Sequence, residues 1–147
     1  MEQPRPPDHG PLFAVAIAGG TYVFALATPA LVFLHGSSIE AKPGWECLML
    51  GWMGMLVGQF AWLANVPLFI AALLTLVRKH TAAAVLASLA VGLAQLTWTL
   101  YLAPLPGDEG GVTTLVFQYP HVGFFLWIAS MMSLFVASIV LKLRPRS

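Results

Sequence analysis

The chain has 147 residues, of which 59% are hydrophobic and only 9% carry a charge, and its formal net charge is +1. Soluble domains average about 45–50% apolar and about 25% charged residues, so this composition excludes an ordinary soluble domain. The small net charge argues against nucleic acid as a partner. The single cysteine, Cys47, excludes an internal disulfide and a zinc site made of cysteines alone.

Four long uncharged intervals define the predicted architecture. Each is long enough to cross a hydrocarbon core of about 30 Å, which takes about 20 residues. They predict transmembrane helices over residues 12–34, 48–77, 82–102 and 120–143. The predicted fold class is therefore all-α, an integral membrane four-helix bundle in residues 12–143. The proline-rich residues 1–11 are expected to form a disordered cytoplasmic N-terminus, and residues 144–147 a cytoplasmic basic tail.

The first two predicted helices each contain a proline. Pro29 and Pro67 lack the backbone N–H that a helix interior requires, so each predicts a kink. The second interval, residues 48–77, would reach about 45 Å at 1.5 Å per residue, which is longer than a straight crossing needs. We expect this helix to tilt, to kink near Pro67 or to begin along the membrane interface.

The start of the fourth helix is predicted from Pro120. Proline disfavours helical backbone at the residue before it, here Tyr119, and suits the first turn of a helix. Residues 112–119 are therefore expected to form a short extended or interfacial lead-in.

The distribution of basic residues predicts the orientation. With the N-terminus inside, the inner segments contain Arg5, Arg78, Lys79, Lys142, Arg144 and Arg146, whereas the outer loops contain only Lys42. Cytoplasmic loops carry such an excess of Lys and Arg. The predicted location is a plasma membrane of the bacterial inner-membrane type, with both termini cytoplasmic. An outer aromatic belt is expected from Trp45, Trp52, Trp98, Tyr101 and Tyr119.

Small residues recur at helical spacing in the second and third predicted helices. Gly54 and Gly58 form a GxxxG pattern that Ala61 continues, and the third helix offers Ala84, Ser88 and Gly92. Small residues allow the backbones of two membrane helices to approach closely. The pattern favours packing inside the bundle, and the alternative is a face that binds a second copy or another membrane protein.

Three amide side chains lie within the predicted spans, at Gln59, Asn65 and Gln95. An unpaired amide in hydrocarbon costs several kcal/mol, so each should face another helix or water. We expect interhelical hydrogen bonds, with Gln59 and Gln95 as one candidate pair and Asn65 bonded to backbone near Pro67. The alternative is a polar pathway or ligand site.

Candidate metal ligands occur only on the predicted outer face. On this face His35 ends the first predicted helix and His121 begins the fourth. Acidic side chains lie in the outer loops between them, at Glu40, Glu46, Asp108 and Glu109. Imidazole and carboxylate groups can bind a divalent metal, but no local ligand spacing supports a site. We therefore predict no metal and no cofactor, with His35 and His121 as the only candidates.

No sequence motif indicates catalysis. Apart from Lys142 at the inner end of the fourth, the spans contain no Asp, Glu, Lys or Arg, and this lack of intramembrane charge argues against proton-coupled transport. The favoured hypothesis is a non-catalytic accessory or interaction protein whose partners are the lipid bilayer and itself or another membrane protein. The alternatives are a small channel or carrier for a neutral or weakly polar solute, and an outer-face metal-binding protein or enzyme that uses His35 and His121.

Overall fold

The computed structural model describes residues 9–102, 104–106 and 114–144, in which five α-helices and four strands follow one another. In chain order the elements are α1 (Gly10–Ala27), β1 (Pro29–His35), β2 (Ser38–Pro43), α2 (Gly44–Leu50), α3 (Asn65–Leu76), α4 (His80–Ala94), β3 (Leu105–Pro106), β4 (Thr114–Pro120) and α5 (Val122–Leu143). Three 3₁₀ segments complete the fold, at Gly51–Val57, Ala61–Ala64 and Gln95–Tyr101.

The predicted all-α fold class is wrong, because the chain also forms a four-stranded antiparallel sheet in the order β2-β1-β4-β3. β1 is a central strand, and its Phe33 lies opposite Glu40 of β2 and Phe117 of β4. A short apolar run is compatible with either a helix or a strand. Residues 29–35 become a strand because β2, which follows in a tight hairpin, and β4, which is distant in sequence, supply their hydrogen-bonding partners.

The first predicted span therefore ends as a helix well before residue 34. α1 stops at Ala27, Thr28 is extended with φ −110° and ψ 156°, and Pro29 opens β1. Proline pushes the residue before it out of helical backbone. Pro29 thus ends the helix and does not kink it.

The second predicted span is divided. Residues 48–77 contain the end of α2, the segment Gly51–Val57, the short segment Ala61–Ala64 and α3. Between the two 3₁₀ segments the chain turns at Gly58, whose φ is +83°. Pro67 lies in the first turn of α3, where a missing N–H costs no helical hydrogen bond. The residues of this interval beyond those in α3 thus form the end of α2 and the two 3₁₀ segments.

Among the described residues, three helical stretches are long and apolar enough to cross a membrane: Gly10–Ala27, His80–Tyr101 and Val122–Leu143. Gly44–Val57 and Ala61–Leu76 are shorter apolar helical stretches. The last of the three long stretches begins two residues after Pro120, and the strand before it occupies most of the predicted extended lead-in.

The main core lies where α1, α3, α4 and α5 meet. Side chains without solvent exposure come from three of these helices, including Ala71 of α3, Ala87 and Ala90 of α4, and Met131 and Leu134 of α5. A second, smaller core of Phe33, Leu100 and Phe117 lies under the sheet. Between the two cores the helices and the sheet enclose a cavity.

Candidate functional site

The cavity has a volume of about 490 Å³, which lies within the range of roughly 300–1,000 Å³ found for small-molecule sites. Its walls come from the end of α1, β1, α2, the segment Gly51–Val57 (here called the strap), α3 and the start of α5. The lining residues include Tyr22, Leu26, Leu31, Phe33, Lys42, Glu46, Cys47, Leu48, Met53, Leu56, Gln59, Ala61, Trp62, Asn65, Leu115, Phe124 and Trp127. Most of this surface is apolar.

Asn65 organises a hydrogen-bond network at the inner end of the cavity. Its side chain is buried, and its Oδ1 accepts bonds from the Tyr22 hydroxyl at 3.0 Å and from Trp127 Nε1 at 2.9 Å. Its Nδ2 donates to the Trp62 carbonyl at 2.9 Å. This floor network (Tyr22, Trp62, Asn65 and Trp127) ties α1, α3 and α5 together.

The polar groups of the floor network are satisfied by one another and by nearby backbone. The Trp62 indole N–H is also satisfied, because it donates to the Leu48 carbonyl at 2.7 Å. A buried water needs two to four polar partners. Since these donors and acceptors already bind one another, the inner end of the cavity favours an apolar occupant over water.

The charged side chains that line the cavity belong to an ion cluster on β2 and α2. Lys42 Nζ lies 3.1 Å from Glu46 Oε1 and 3.2 Å from Glu40 Oε2. His35 Nδ1 lies 2.9 Å from the other oxygen of Glu40. Lys42 and Glu46 line the cavity, whereas Glu40 and His35 lie outside it.

Neighbouring groups favour the charged forms of Glu40 and Lys42 in this ion cluster. Hydrogen bonds from His35 and then from Lys42 hold the pKa of Glu40 below its ordinary value. The hydrogen bond to the Glu46 carboxylate, assisted by Glu40, holds the pKa of Lys42 above its ordinary value. The apolar cavity therefore has one polar edge that carries charges of both signs.

The cavity reaches the surface beside the strap and the end of α2. Four lining residues there are exposed and apolar, namely Leu50, Met53, Leu56 and Val57, and Leu56 is 79% exposed. Exposed contiguous apolar surface of this kind marks contact with lipid or with a partner. The opening is thus bordered by side chains that favour an apolar surrounding.

The structure does not pair the two glutamines that the sequence analysis placed together. Gln59 lines the cavity, and its Oε1 accepts a bond from Thr99 Oγ1 at 2.9 Å. Gln95 is exposed, and its Oε1 accepts a bond from Trp98 Nε1 at 3.0 Å within the same helical stretch. Of the three predicted amides, Asn65 and Gln59 therefore belong to the cavity.

The GxxxG pattern serves a turn and not a helix face. Gly54 lies in the strap, and the Gly54 carbonyl accepts hydrogen bonds from the backbone N–H groups of Gly58 and Gln59. The positive φ of Gly58 ends the 3₁₀ segment, a conformation that glycine adopts without a Cβ penalty. Ala61 lies beyond the turn and lines the cavity.

On α4 the buried stripe is displaced by one residue from the predicted one. Ala83, Ala87, Ala90 and Ala94 have no solvent exposure, whereas Ala84 is half-buried and Ser88 and Gly92 are exposed. The alanines face the bundle because small side chains let α4 approach its neighbours closely. The stripe Ala84, Ser88 and Gly92 therefore remains on the outer surface of the bundle.

The two candidate histidine ligands lie far apart. His35 ends β1, whereas His121 donates its backbone N–H to the carbonyl of Ala30 near the start of that strand. His35 and Ala30, the strand residue beside His121, are five residues apart along β1, which corresponds to about 17 Å. The described residues contain no group of three or more His, Cys, Asp and Glu side chains able to hold a metal. Asp108 and Glu109 lie outside the described residues.

Sequence reasoning missed the aromatic members of the floor network. Tyr22 and Trp127 lie in long apolar spans, where a hydroxyl or an indole N–H needs a hydrogen-bond partner. The need of these two side chains for a hydrogen-bond partner is the signal that could have been found in the sequence. It indicates that a partner exists but does not identify Asn65 as the partner of both.

The chain matches no protein-family model, no curated protein and no solved structure. The residues and geometry of the cavity are therefore the basis for its function.

Proposed function

We propose that this chain is a multi-pass membrane protein that binds an apolar molecule, without catalysing a reaction on it. The observation that carries the proposal is the cavity of about 490 Å³ between the helices and the sheet, with its self-satisfied floor network. The cavity opens beside the strap, and its apolar lining has no packing partners on the open side unless an apolar molecule fills it. An apolar ligand would supply those contacts.

The proposed location is a plasma membrane of the bacterial inner-membrane type, with both termini cytoplasmic. The three long apolar helices support a location in a membrane, and the distribution of basic residues supports the proposed orientation. Arg78, Lys79, Lys142 and Arg144 flank helix ends at one level, whereas Lys42 lies in the sheet at the other. The cavity would then lie at the level of the outer leaflet.

Binding is favoured over conduction by the packing beneath the cavity. Below the floor network, Ala71, Ala87, Met131 and Leu134 meet without solvent exposure. A hydrophobic core packed in this way contains few voids larger than a water molecule. This arrangement supports a site that is entered from the outer leaflet and is closed toward the cytoplasm.

Filling the cavity should expel the ligand. Ala61 lines the cavity, so Ala61→Phe places a ring in the space that the ligand needs. We expect the amount of lipid or other apolar molecule bound to the purified protein to fall at least about fivefold, equivalent to about 1 kcal/mol. Native mass spectrometry after mild solubilisation measures this amount.

The matched control is Ala129→Phe, which makes the same change at an exposed position of α5 outside the cavity. It should retain as much ligand as the unaltered protein. Equal retention by both variants, or no retained apolar molecule in the unaltered protein, would contradict the proposed function.

A second candidate function is association with another membrane helix, as an accessory or interaction protein. It is favoured by the stripe of Ala84, Ser88 and Gly92 on α4, in which Ser88 and Gly92 are exposed and Ala84 is half-buried. Ala84 and Ser88 also line a groove of about 320 Å³ between α4 and α5. A side chain at Gly92 would meet no atom within 4 Å, so the position is open to a neighbouring helix.

If this face binds a second copy or a partner, Gly92→Leu should weaken association about tenfold without disturbing the fold. Self-association is measured by energy transfer between labelled copies in liposomes as the protein is diluted with lipid. Binding to another partner is measured by co-purification. Gly20→Leu is the control, because Gly20 of α1 is also exposed and open. Association that is equal in both variants would remove this candidate.

A further inference from the structure

The polar edge of the cavity restricts the kind of apolar molecule that the proposed site can accept. Among the described lining residues, Lys42 and Glu46 are the ones that carry a formal charge, and their Nζ and Oε1 atoms lie 3.1 Å apart. Both side chains are partly exposed, at 29% and 26%, so they border the cavity at the surface. A molecule with its tail in the cavity would place its polar end beside them.

The local charge balance disfavours a purely anionic polar end. Lys42 already pairs with two carboxylates, Glu40 and Glu46, so the three groups sum to one negative charge. An anion would approach one cation and two anions, and a like charge at this range is repelled. A purely cationic end would in turn compete with Lys42 for both carboxylates.

A polar end that carries both charges fits this pair. A phosphate can bind the Lys42 ammonium while an ammonium group binds the Glu46 carboxylate, so each charge of the pair gains a partner of opposite sign. A primary ammonium can donate charge-assisted hydrogen bonds to a carboxylate, whereas a quaternary ammonium has no N–H to donate. The chemistry therefore distinguishes among zwitterionic headgroups.

The remainder of the cavity suits a hydrocarbon chain. Leu31, Phe33, Leu48 and Phe124 contribute apolar lining between the ion cluster and the floor network. The border toward the surface is formed by the exposed apolar residues of α2 and the strap, such as Met53 and Leu56. An acyl chain could pass between this border and the membrane without contacting water.

We propose that the cavity binds one acyl chain of a membrane glycerophospholipid whose zwitterionic headgroup carries a primary ammonium, held by Lys42 and Glu46. This inference rests on the proposed function, since it specifies the ligand class of the same cavity. It identifies the outer leaflet as the source of the ligand and the strap as the border that the chain crosses.

A competition experiment tests the headgroup. The full-length protein is reconstituted in nanodiscs that contain equal amounts of phosphatidylethanolamine, phosphatidylcholine and phosphatidylglycerol with identical acyl chains and distinct isotope labels. The lipid that stays bound after transfer to detergent is identified by native mass spectrometry. We expect phosphatidylethanolamine to exceed each of the other two about three- to fivefold, the upper part of the range for an exposed ion pair.

Two variants test the residues. Glu46→Gln should bring phosphatidylethanolamine and phosphatidylcholine close to equal retention, and Lys42→Met should lower the retention of all three lipids because it removes the cation that binds their phosphates. Lys79→Met, which changes an exposed lysine at the opposite end, should leave the preference unchanged. Retention of lipid without a headgroup preference in the unaltered protein would overturn this inference and leave the proposed function intact. Retention of an apolar molecule that is not a lipid would overturn this inference only, whereas failure to retain any apolar molecule, or a cavity filled by a second copy of the chain, would overturn both.

Discussion

Gly44→Ala is expected to destabilise the protein by about 3 kcal/mol, at the upper end of the cost of overpacking. Gly44 begins α2 and lies against the end of α1, where its N–H donates to the Thr28 carbonyl at 2.9 Å. A Cβ at this position would collide with the Ala25 carbonyl oxygen and would lie 2.9 Å from the Leu26 Cα. These are backbone atoms of a helix, so they cannot move aside as a flexible side chain would.

The same substitution at Gly19 is the control. Gly19 is exposed within α1, and an added Cβ would meet nothing within 4 Å. Gly19→Ala should leave stability unchanged or raise it by about 0.5–1 kcal/mol through better helix propensity. Thermal unfolding of the solubilised variants, followed by circular dichroism, measures both effects. Equal stability of the two variants would show that α1 and α2 do not approach each other as described.

Asn65→Leu is expected to cost about 2–4 kcal/mol and to release α1 and α5 from α3. The substitution leaves the Tyr22 hydroxyl, the Trp127 indole N–H and the Trp62 carbonyl without their partner. Each buried polar group left unpaired costs about 1–3 kcal/mol, and hydrogen bonds between membrane helices fall toward the lower part of that range. The free energy of unfolding in mixed micelles reports the loss.

The control for Asn65→Leu is Gln95→Leu, which removes an amide that is exposed and bonded within its own helical stretch. Its cost should stay below about 0.5 kcal/mol. A double-mutant cycle with Tyr22→Phe separates the shared hydrogen bond from the rest of the Asn65 effect. Additive losses from Asn65→Leu and Tyr22→Phe would contradict a direct bond between the two side chains.

The local pattern of the chain predicted the parts of the fold that depend on local information. The apolar interval that became α5 is predicted to start near Pro120, and α5 starts at Val122, because a proline restricts the residues beside it regardless of the rest of the fold. Asn65 was identified as a polar group that needed a partner, since hydrocarbon supplies none. The clustering of basic residues, from which the orientation is predicted, is likewise a property of the sequence alone.

Helical spacing did not identify the packing faces. Gly54 and Gly58 match a helix-pairing pattern, but Gly58 adopts a positive φ and reverses the chain. On α4 the predicted stripe and the buried alanines differ by one residue, which is a rotation of about 100° for a helix of 3.6 residues per turn. A sequence rich in small residues offers more than one such stripe, and only contact with α3 and α5 selects one.

Local sequence was sufficient to predict the helical stretches His80–Tyr101 and Val122–Leu143, the distribution of charge along the chain and the need of Asn65 for hydrogen-bond partners, because each follows from residues close together in the chain or from the solvent they meet. The tertiary structure decided that residues 29–35 form a central strand, since β2 follows β1 in a tight hairpin but β4, on its other side, comes from a distant part of the chain. It also decided that Tyr22 and Trp127 share one amide oxygen, and that a cavity lies between the helices and the sheet. Strand pairing, shared hydrogen bonds and enclosed space are relations between distant segments, and no single stretch of sequence contains them.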